Sequence, residues 1–321
     1  MMNKNSLRQL LLSCTVLMVL IFMLFYPAES LTAAREGLGI WLNTLIPTLL
    51  PFLILTDILL KTSLMEKVLS PFSRLWRFLF GLSPMGAYGL FAGILCGYPM
   101  GAKAASSLYE KGKISRREAH YLLTFSNNAS PAFLTSYLAV ECLNNRASVA
   151  KIAGTLLLAD LCCMLFFRFV VYKNNTISSD LEKAAAHCRC EKKTPTDRSL
   201  GASIDVSIMN SFETITRLGG YILLFSLITA MAAQYRTKNL FLKNIICAAL
   251  EITSGLHILR KTGLPYNMQY LCSMAVTAFG GMCILMQTKS VLNNRLSARP
   301  YLSAKCLNTL ITVLIILLSG S

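Results

Sequence analysis

The apolar residues of this chain fall in runs long enough to cross a lipid bilayer, and several runs are interrupted near their middles by glycine, proline or asparagine. A spanning helix needs about 20 predominantly apolar residues. Runs of that order cover 9–26, 37–60, 85–108, 119–140, 152–172, 208–233 and 268–287. Shorter apolar stretches cover 244–259 and 307–318, and the last spans only if 303–319 all contributes. The expected architecture is an all-α, polytopic membrane protein. The 9–26 run follows Lys4 and Arg8 and exceeds the roughly 7–15 residues of a signal peptide's apolar core. It reads as an uncleaved signal anchor, with an external linker up to residue 36.

Composition agrees. Of 321 residues, 54% are hydrophobic and 14% charged, against about 25% charged in soluble domains. There are 31 Lys and Arg against 15 Asp and Glu, a net charge of +16. Nucleic-acid binders gather such a surplus on one hydrated face, whereas here it lies between apolar runs. A cytosolic enzyme and a secreted disulfide scaffold are excluded on the same grounds, and no nucleic acid is expected as a partner. The 11 cysteines are odd in number and mostly sit inside apolar runs. His187-Cys188-Arg189-Cys190 offers soft metal ligands but has no second pair, so these read as solvated loop cysteines. Neither a metal nor a cofactor is expected.

From 64 to 80 the pattern changes. Met65, Val68, Leu69, Phe72, Leu75, Trp76 and Leu79 recur at helical spacing opposite Lys67, Arg74 and Arg77, the signature of an interfacial amphipathic helix. The stretch 173–205 is the only long polar one and reads as a hydrophilic loop between halves. The expected segments are therefore 1–36 (signal anchor and linker), 37–172 (first repeat), 173–205 (cytoplasmic loop), 206–305 (second repeat) and 306–321 (terminal helix).

Both repeats have one order: a span, a short apolar segment with a central glycine-containing break, then a span broken at its midpoint. Residue identity between them is negligible, so this is a repeat of layout. Suppose that both short segments are re-entrant hairpins and that the N-terminus is cytoplasmic. The N-terminus and the loops at 61–78, 111–118, 173–205 and 289–305 then hold 20 of the 31 Lys and Arg, as the positive-inside rule requires. Arg236, Lys238, Lys243, Arg260 and Lys261 fall outside and run against it. The first hairpin enters from inside and the second from outside, an inversion found in many secondary transporters.

Unwound backbone at membrane depth must line protein or a wet cavity. The breaks at Gly97-Tyr98-Pro99-Met100-Gly101, Ser126-Asn127-Asn128-Ala129-Ser130-Pro131, Glu251-Ile252-Thr253-Ser254-Gly255 and Gly280-Gly281 create half-helix N-termini. Their unpaired N–H groups and positive potential suit a carboxylate or phosphate. Lys103 adds a full charge, and a lysine within a span marks function by default; the alternative is snorkelling to an interface. Asn127 and Asn128 supply amides, and Ser126 and Ser130 supply hydroxyls. Glu251 is the acidic counterpart, as a coupling-ion or proton site or as a partner to Lys103. Other readings are blander. Glycine pairs, Gly219-Gly220 among them, also permit close helix packing. Asp160 and Arg168, eight residues apart on one face, read as neutralising their neighbours. His257 reads as a hydrogen-bonded core residue, and Tyr98 either stacks on a ring-shaped solute or packs.

Gly97-Tyr98-Pro99-Met100-Gly101-Ala102-Lys103, Leu108-Tyr109-Glu110-Lys111-Gly112-Lys113-Ile114-Ser115, Glu118-Ala119 and Phe125-Ser126-Asn127-Asn128-Ala129-Ser130-Pro131-Ala132-Phe133 resemble the nucleoside-recognition (Gate) domain. More narrowly, the chain resembles the YlbJ-type sporulation integral membrane proteins of endospore-forming bacteria. Gly219-Gly220-Tyr221-Ile222, Glu251-Ile252-Thr253-Ser254-Gly255 and Phe279-Gly280-Gly281 with Gln287 are similar to that family's second half. The likeness runs from about 37 to 305. Ser130 stands where the family usually has glycine, and Cys96 where a small hydroxyl residue is common. The resemblance implies a fold similar to concentrative nucleoside transporters. It also implies a role in moving dipicolinate across the mother-cell-derived membrane around the forespore.

The residues point to a transporter of a small organic anion by alternating access at the midplane breaks, and the resemblance narrows the solute to dipicolinate. The substrate-binding set is Gly97, Tyr98, Gly101, Lys103, Ser126, Asn127, Asn128, Ser130, Glu251, Thr253, Ser254, Gly280 and Gly281, with no catalytic residue. The expected partners are membrane lipid, a small anionic solute, and a coupling ion or proton. The rivals are a non-transporting sporulation scaffold and a nucleoside-type solute transporter. An intramembrane enzyme is weakest, since neither HExxH nor GxSxG occurs.

Overall fold

The computed structural model of the chain describes residues 4–61, 64–172, 200–234, 240–292 and 295–319. Among these, all regular structure is helical. Four helices are long and apolar enough to cross a membrane, or six if two bent pairs each count as one span. The chain is a multi-pass integral membrane protein.

Helix α1 (Lys4–Phe25) meets α2 (Pro27–Ile40) at a 112° bend, where Pro27 lacks the N–H that would continue the first helix. α2 passes through a wide turn of π type (Trp41–Leu45) into α3 (Ile46–Lys61). Residues 27–36, expected as a linker, are thus helical. The reason is a partner, the helix Leu200–Gln234, against which α2 packs. Gly37 lies on Ser226, and the Trp41 ring lies on Gly219, where a Cβ would come within 2.5 Å of the indole. The Trp41 indole N–H donates to the Ile215 carbonyl at 2.9 Å. Gly219 is therefore a packing seat, and Gly219-Gly220 lies within a continuous helix with no break.

Helices α4 (Leu64–Leu69) and α5 (Ser73–Phe80), joined by the turn Ser70–Phe72, lead at a 70° bend into α6 (Pro84–Cys96). Val68, Phe72, Leu75 and Leu79 are exposed, the apolar face that the spacing predicts. α7 (Met100–Glu110) and α8 (Arg116–Leu122) follow, then an unwound stretch over 123–130 and a π-type helix, Phe133–Cys142. α9 (Val149–Phe166) ends in the wide turn Phe167–Val171. From that end the buried Arg168 donates to the carbonyls of Leu79 (2.7 Å) and Arg77 (3.1 Å). Arg168 thus ties the end of α9 to the C-terminal carbonyls of α5.

The second half comprises α10 (Leu200–Gln234), α11 (Leu240–Leu250), α12 (Ile252–Arg260), α13 (Tyr266–Phe279), α14 (Gly281–Val291) and α15 (Arg299–Leu318). Helices α13 and α14 together make one 26-residue span. α15 starts at Arg299 with Pro300 in its first turn, a position that suits proline. Lys305, expected in a cytoplasmic loop over 289–305, is consequently inside this helix and only 4% exposed. Tyr301, Lys305, Asn308 and Thr312 form a buried polar stripe, while Leu302, Leu310, Leu314 and Leu317 are exposed. Polar inside and apolar outside is the arrangement that a lipid-facing helix requires.

Candidate functional site

Two helix breaks in each half are packed on one another. In the first half α6 ends at Gly97 (φ +77°), and α7 folds back along it, bringing Gly101 beside Gly93 and Leu108 beside Gly89. A Cβ on Gly93 or on Gly101 would clash with the Ser126 carbonyl, and one on Gly97 would lie 2.6 Å from the Ser130 nitrogen. Glycine is required here because two backbones touch. The Tyr98 N–H donates to the Asn128 carbonyl (2.7 Å), and the Ala102 N–H to the Asn127 side-chain oxygen (3.3 Å). The first turn of α7 thus receives an acceptor from the unwound stretch.

In the second half Glu251, 3% exposed, separates α11 from α12 and caps the latter. Its carboxylate accepts the Thr253 N–H (3.1 Å), the Thr253 hydroxyl (2.6 Å) and the Ser254 N–H (2.6 Å). Charge-assisted bonds of this kind are about twice as strong as neutral ones. Gly280 and Gly281 both have positive φ, and Gly281 lies against the Ala249 carbonyl at the end of α11. The N-termini of α7 and α12 are therefore already served by the protein's own oxygens.

An inner cavity of about 190 Å³ lies between these pairs of breaks. The first half contributes Cys96, Tyr98, Ser130, Phe133 and Tyr137, and the second contributes Glu251, Thr253, Cys283 and Gln287. The Tyr98 and Phe133 rings lie 6.3 Å apart, and the buried Tyr98 hydroxyl has no hydrogen-bond partner among the described residues. The Tyr137 hydroxyl donates to the Thr253 carbonyl at 2.7 Å, tying the halves together at the cavity wall. A ring-shaped solute would find aromatic faces here, with hydroxyl, amide and carboxylate groups at the edge.

A second cavity, about 320 Å³, is lined by Lys103, Lys111, Arg217, Asp57, Glu110 and Glu213, among others. Lys111 lies 3.6 Å from Asp57, Arg217 pairs with Glu213, and Glu110 lies 4.0 Å from Arg295. Lys103 has no ion pair among the described residues. It opens on this vestibule, and neither Glu251 nor the inner cavity shares it. Leu218 lines both cavities. It belongs to a packed cluster of Leu49, Leu53, Cys96, Met100 and Ile215, in which Leu53 and Met100 face the vestibule and Leu49 and Cys96 the inner cavity.

Behind the unwound stretch lies a buried polar network. The Asn127 amide donates to the Thr288 hydroxyl at 3.0 Å, and the Tyr301 hydroxyl faces both. The Lys305 ammonium donates to the Asn128 side-chain oxygen, and the Asn308 amide donates to Asp160.

The thirteen residues expected to bind solute thus separate. Tyr98, Ser130, Glu251 and Thr253 line the inner cavity, while Lys103 lines the vestibule. Asn127 and Asn128 stand in the network, and Ser126 touches the hairpin glycines through its carbonyl. Gly97, Gly101, Gly280 and Gly281 act through backbone, and Ser254 through its N–H. His257 is exposed. Lys305, Asn308, Tyr301, Thr288 and Tyr137 also belong to these sites. The 4-3-4 spacing of Tyr301, Lys305, Asn308 and Thr312 is the signal that marks the first two. The nine described cysteines are free. Cys188 and Cys190 lie outside the described residues, as does most of the loop 173–205.

Residues 42–170 match the Gate family, nucleoside recognition. The sporulation integral membrane protein YlbJ of Bacillus subtilis (strain 168) is 24% identical to it over 345 residues, covering 99% of this chain and 84% of the relative. No solved structure matches.

Proposed function

We propose that this chain, with its match to the Gate family and its likeness to a sporulation membrane protein, is a transporter that passes a small ring-bearing solute through the inner cavity by alternating access. The observation that carries this reading is the plug around Leu218, packed between a polar vestibule and a cavity built from both halves. A scaffold needs neither cavities in series nor four helix breaks at membrane depth. The matching order of breaks supports an inverted repeat, with each hairpin and its partner break moving as a unit. With the N-terminus inside, the vestibule beside Lys111 faces the cytoplasm, and the protein lies in the mother-cell-derived membrane around the forespore.

Dipicolinate is the leading substrate: a planar ring suits Tyr98 and Phe133, and Lys103 attracts a dianion into the vestibule. A nucleoside-type solute is the second reading, favoured because Glu251 is the one charged residue among the described residues that line the inner cavity. Counterflow in proteoliposomes, with dipicolinate and uridine as separate probes, tests both. Exchange of either probe that falls in Tyr98→Ala and Gln287→Ala supports the cavity as the binding site. Exchange unchanged in both variants removes the cavity from the mechanism, and no exchange of either probe leaves the scaffold.

A further inference from the structure

The network behind the unwound stretch contains an acid and a base that packing alone does not demand. Asp160 is eleven residues into the 23-residue span Val149–Val171, roughly 16 Å along at 1.5 Å per residue, near the middle of a hydrocarbon core about 30 Å thick. Lys305 comes from α15, and the Asn128 side chain stands between the two, its oxygen taking the ammonium and its amide facing Asp160, while each charge acts on the other. Ionisable groups at such depth are costly unless paired, and proton pathways are where they recur.

The surroundings hold both groups firmly. The Thr312 hydroxyl donates to the Asn308 carbonyl (2.8 Å), and the Asn308 side-chain amide donates to Asp160. Asn128 accepts Lys305 on its oxygen, donates to the Phe125 carbonyl (2.9 Å) and also reaches Asp160 with its amide. The other titratable groups facing the pair are the Cys163 thiol and the Tyr301 ring, which lies 5.7 Å from the ammonium. The charged and titratable groups of neighbouring elements are engaged elsewhere. Glu118 meets Ser83, His120 meets the Ser297 N–H, Tyr270 lies by Lys151, and Arg168 holds Leu79 and Arg77.

We propose that Asp160 and Lys305 form a coupling site, at which the Asp160 carboxylate takes up and releases one proton in step with solute occupancy of the inner cavity. This rests on the transport reading and moves the coupling role from Glu251, whose oxygens are occupied in capping. The balance is simple. One proton adds to the carboxylate to give the carboxylic acid, and the pair goes from net zero to net +1. The uncompensated Lys305 ammonium then holds Asn128 alone. Through its carbonyl, Asn128 holds the Tyr98 N–H at 2.7 Å, and Tyr98 lines the cavity. An anion in that cavity relieves the extra positive charge, so proton and anion favour each other's binding.

The test uses the purified full chain in proteoliposomes, with dipicolinate as the probe and uridine beside it. Counterflow without a pH gradient reads transport, while accumulation driven by an imposed pH gradient reads coupling. Asp160→Asn is expected to keep counterflow and to lose gradient-driven accumulation to the level of empty vesicles, and Asp160→Glu to retain both. Infrared difference spectra between acidic and alkaline buffer, without solute, should show a carboxyl band that shifts in Asp160→Glu and vanishes in Asp160→Asn. Wild-type accumulation in Asp160→Asn, or its loss of counterflow together with accumulation, overturns the coupling site. If the wild type exchanges neither probe, the transport reading fails, and so does the coupling role built on it. The spectra then show only whether Asp160 binds a proton.

Discussion

The Asn127 side-chain amide and the Thr288 hydroxyl, 161 residues apart in sequence, meet at 3.0 Å in a buried hydrogen bond. It joins the unwound stretch of the first half to the helix that follows the glycine break of the second. Asn127 also accepts the Ala102 N–H, so one side chain touches three of the four broken elements. Removing the acceptor by Thr288→Val leaves a buried amide N–H unpaired, which costs about 1–3 kcal/mol. We expect Thr288→Val to lower the melting temperature in detergent, with Asn127→Ala adding less in its presence than alone. A double-mutant cycle measures this coupling, about 0.6 kcal/mol for a typical membrane hydrogen bond. Strict additivity would show that the two residues meet without interacting.

Two adjacent glycines should behave in opposite ways. A Cβ on Gly219 strikes the Trp41 ring, whereas one on Gly220 meets nothing within 4 Å. Both lie in the middle of α10, where alanine is favoured over glycine by about 1 kcal/mol. Gly220→Ala should leave thermal stability unchanged or raised, and Gly219→Ala should lower it and reduce the yield of folded protein. Gly101→Ala should be the harsher case, because its Cβ meets the Ser126 backbone and has no side chain to push aside.

The plug gives a prediction about access. Leu218 touches both cavities, and Cys96 lies on the inner side at 6% exposed. Leu218→Ala removes the side chain common to both walls and should let a membrane-impermeant thiol reagent reach Cys96 from the vestibule. In a variant that keeps only Cys96, the labelling rate should rise severalfold with Leu218→Ala and fall when solute holds the plug shut. A rate indifferent to residue 218 would place the barrier elsewhere.

The breaks were legible because a glycine, proline or asparagine pair inside an apolar run has few bland explanations. Gly97-Tyr98-Pro99, 123–130, Glu251 and Gly280-Gly281 all emerge as interruptions. Gly219-Gly220 has the same pattern although Gly219 is a seat for Trp41, since sequence cannot distinguish a glycine that bends a helix from one that admits a neighbour. Lys305 was misread for a related reason. A basic residue at the start of an apolar run satisfies the positive-inside rule as a loop residue, and only its spacing from Asn308 and Thr312 places it on an inward stripe. That Asn128 and Lys305 meet, 177 residues apart, is a property of the packed fold alone.

Glu118 supplies a prediction about pH. It lies on α8, outside the spanning segments, and is fully buried. One carboxylate oxygen accepts the Ser83 N–H at 2.6 Å, and the other has no hydrogen-bond partner among the described residues. Burial pushes this carboxyl up from its ordinary 4.5, against the smaller opposing pull of Ser83 and Arg77. A carboxyl raised in the folded state binds more protons there than in the unfolded chain, so folding is favoured at low pH and that advantage fades as pH rises. The fall begins near 4.5 and is complete above the raised folded value. Glu118→Gln keeps an oxygen for Ser83 and cannot ionise. The melting temperature of the wild type relative to Glu118→Gln should therefore fall with rising pH across this window. A difference that grows with pH, or stays flat, would mean that the buried carboxyl ionises at no cost.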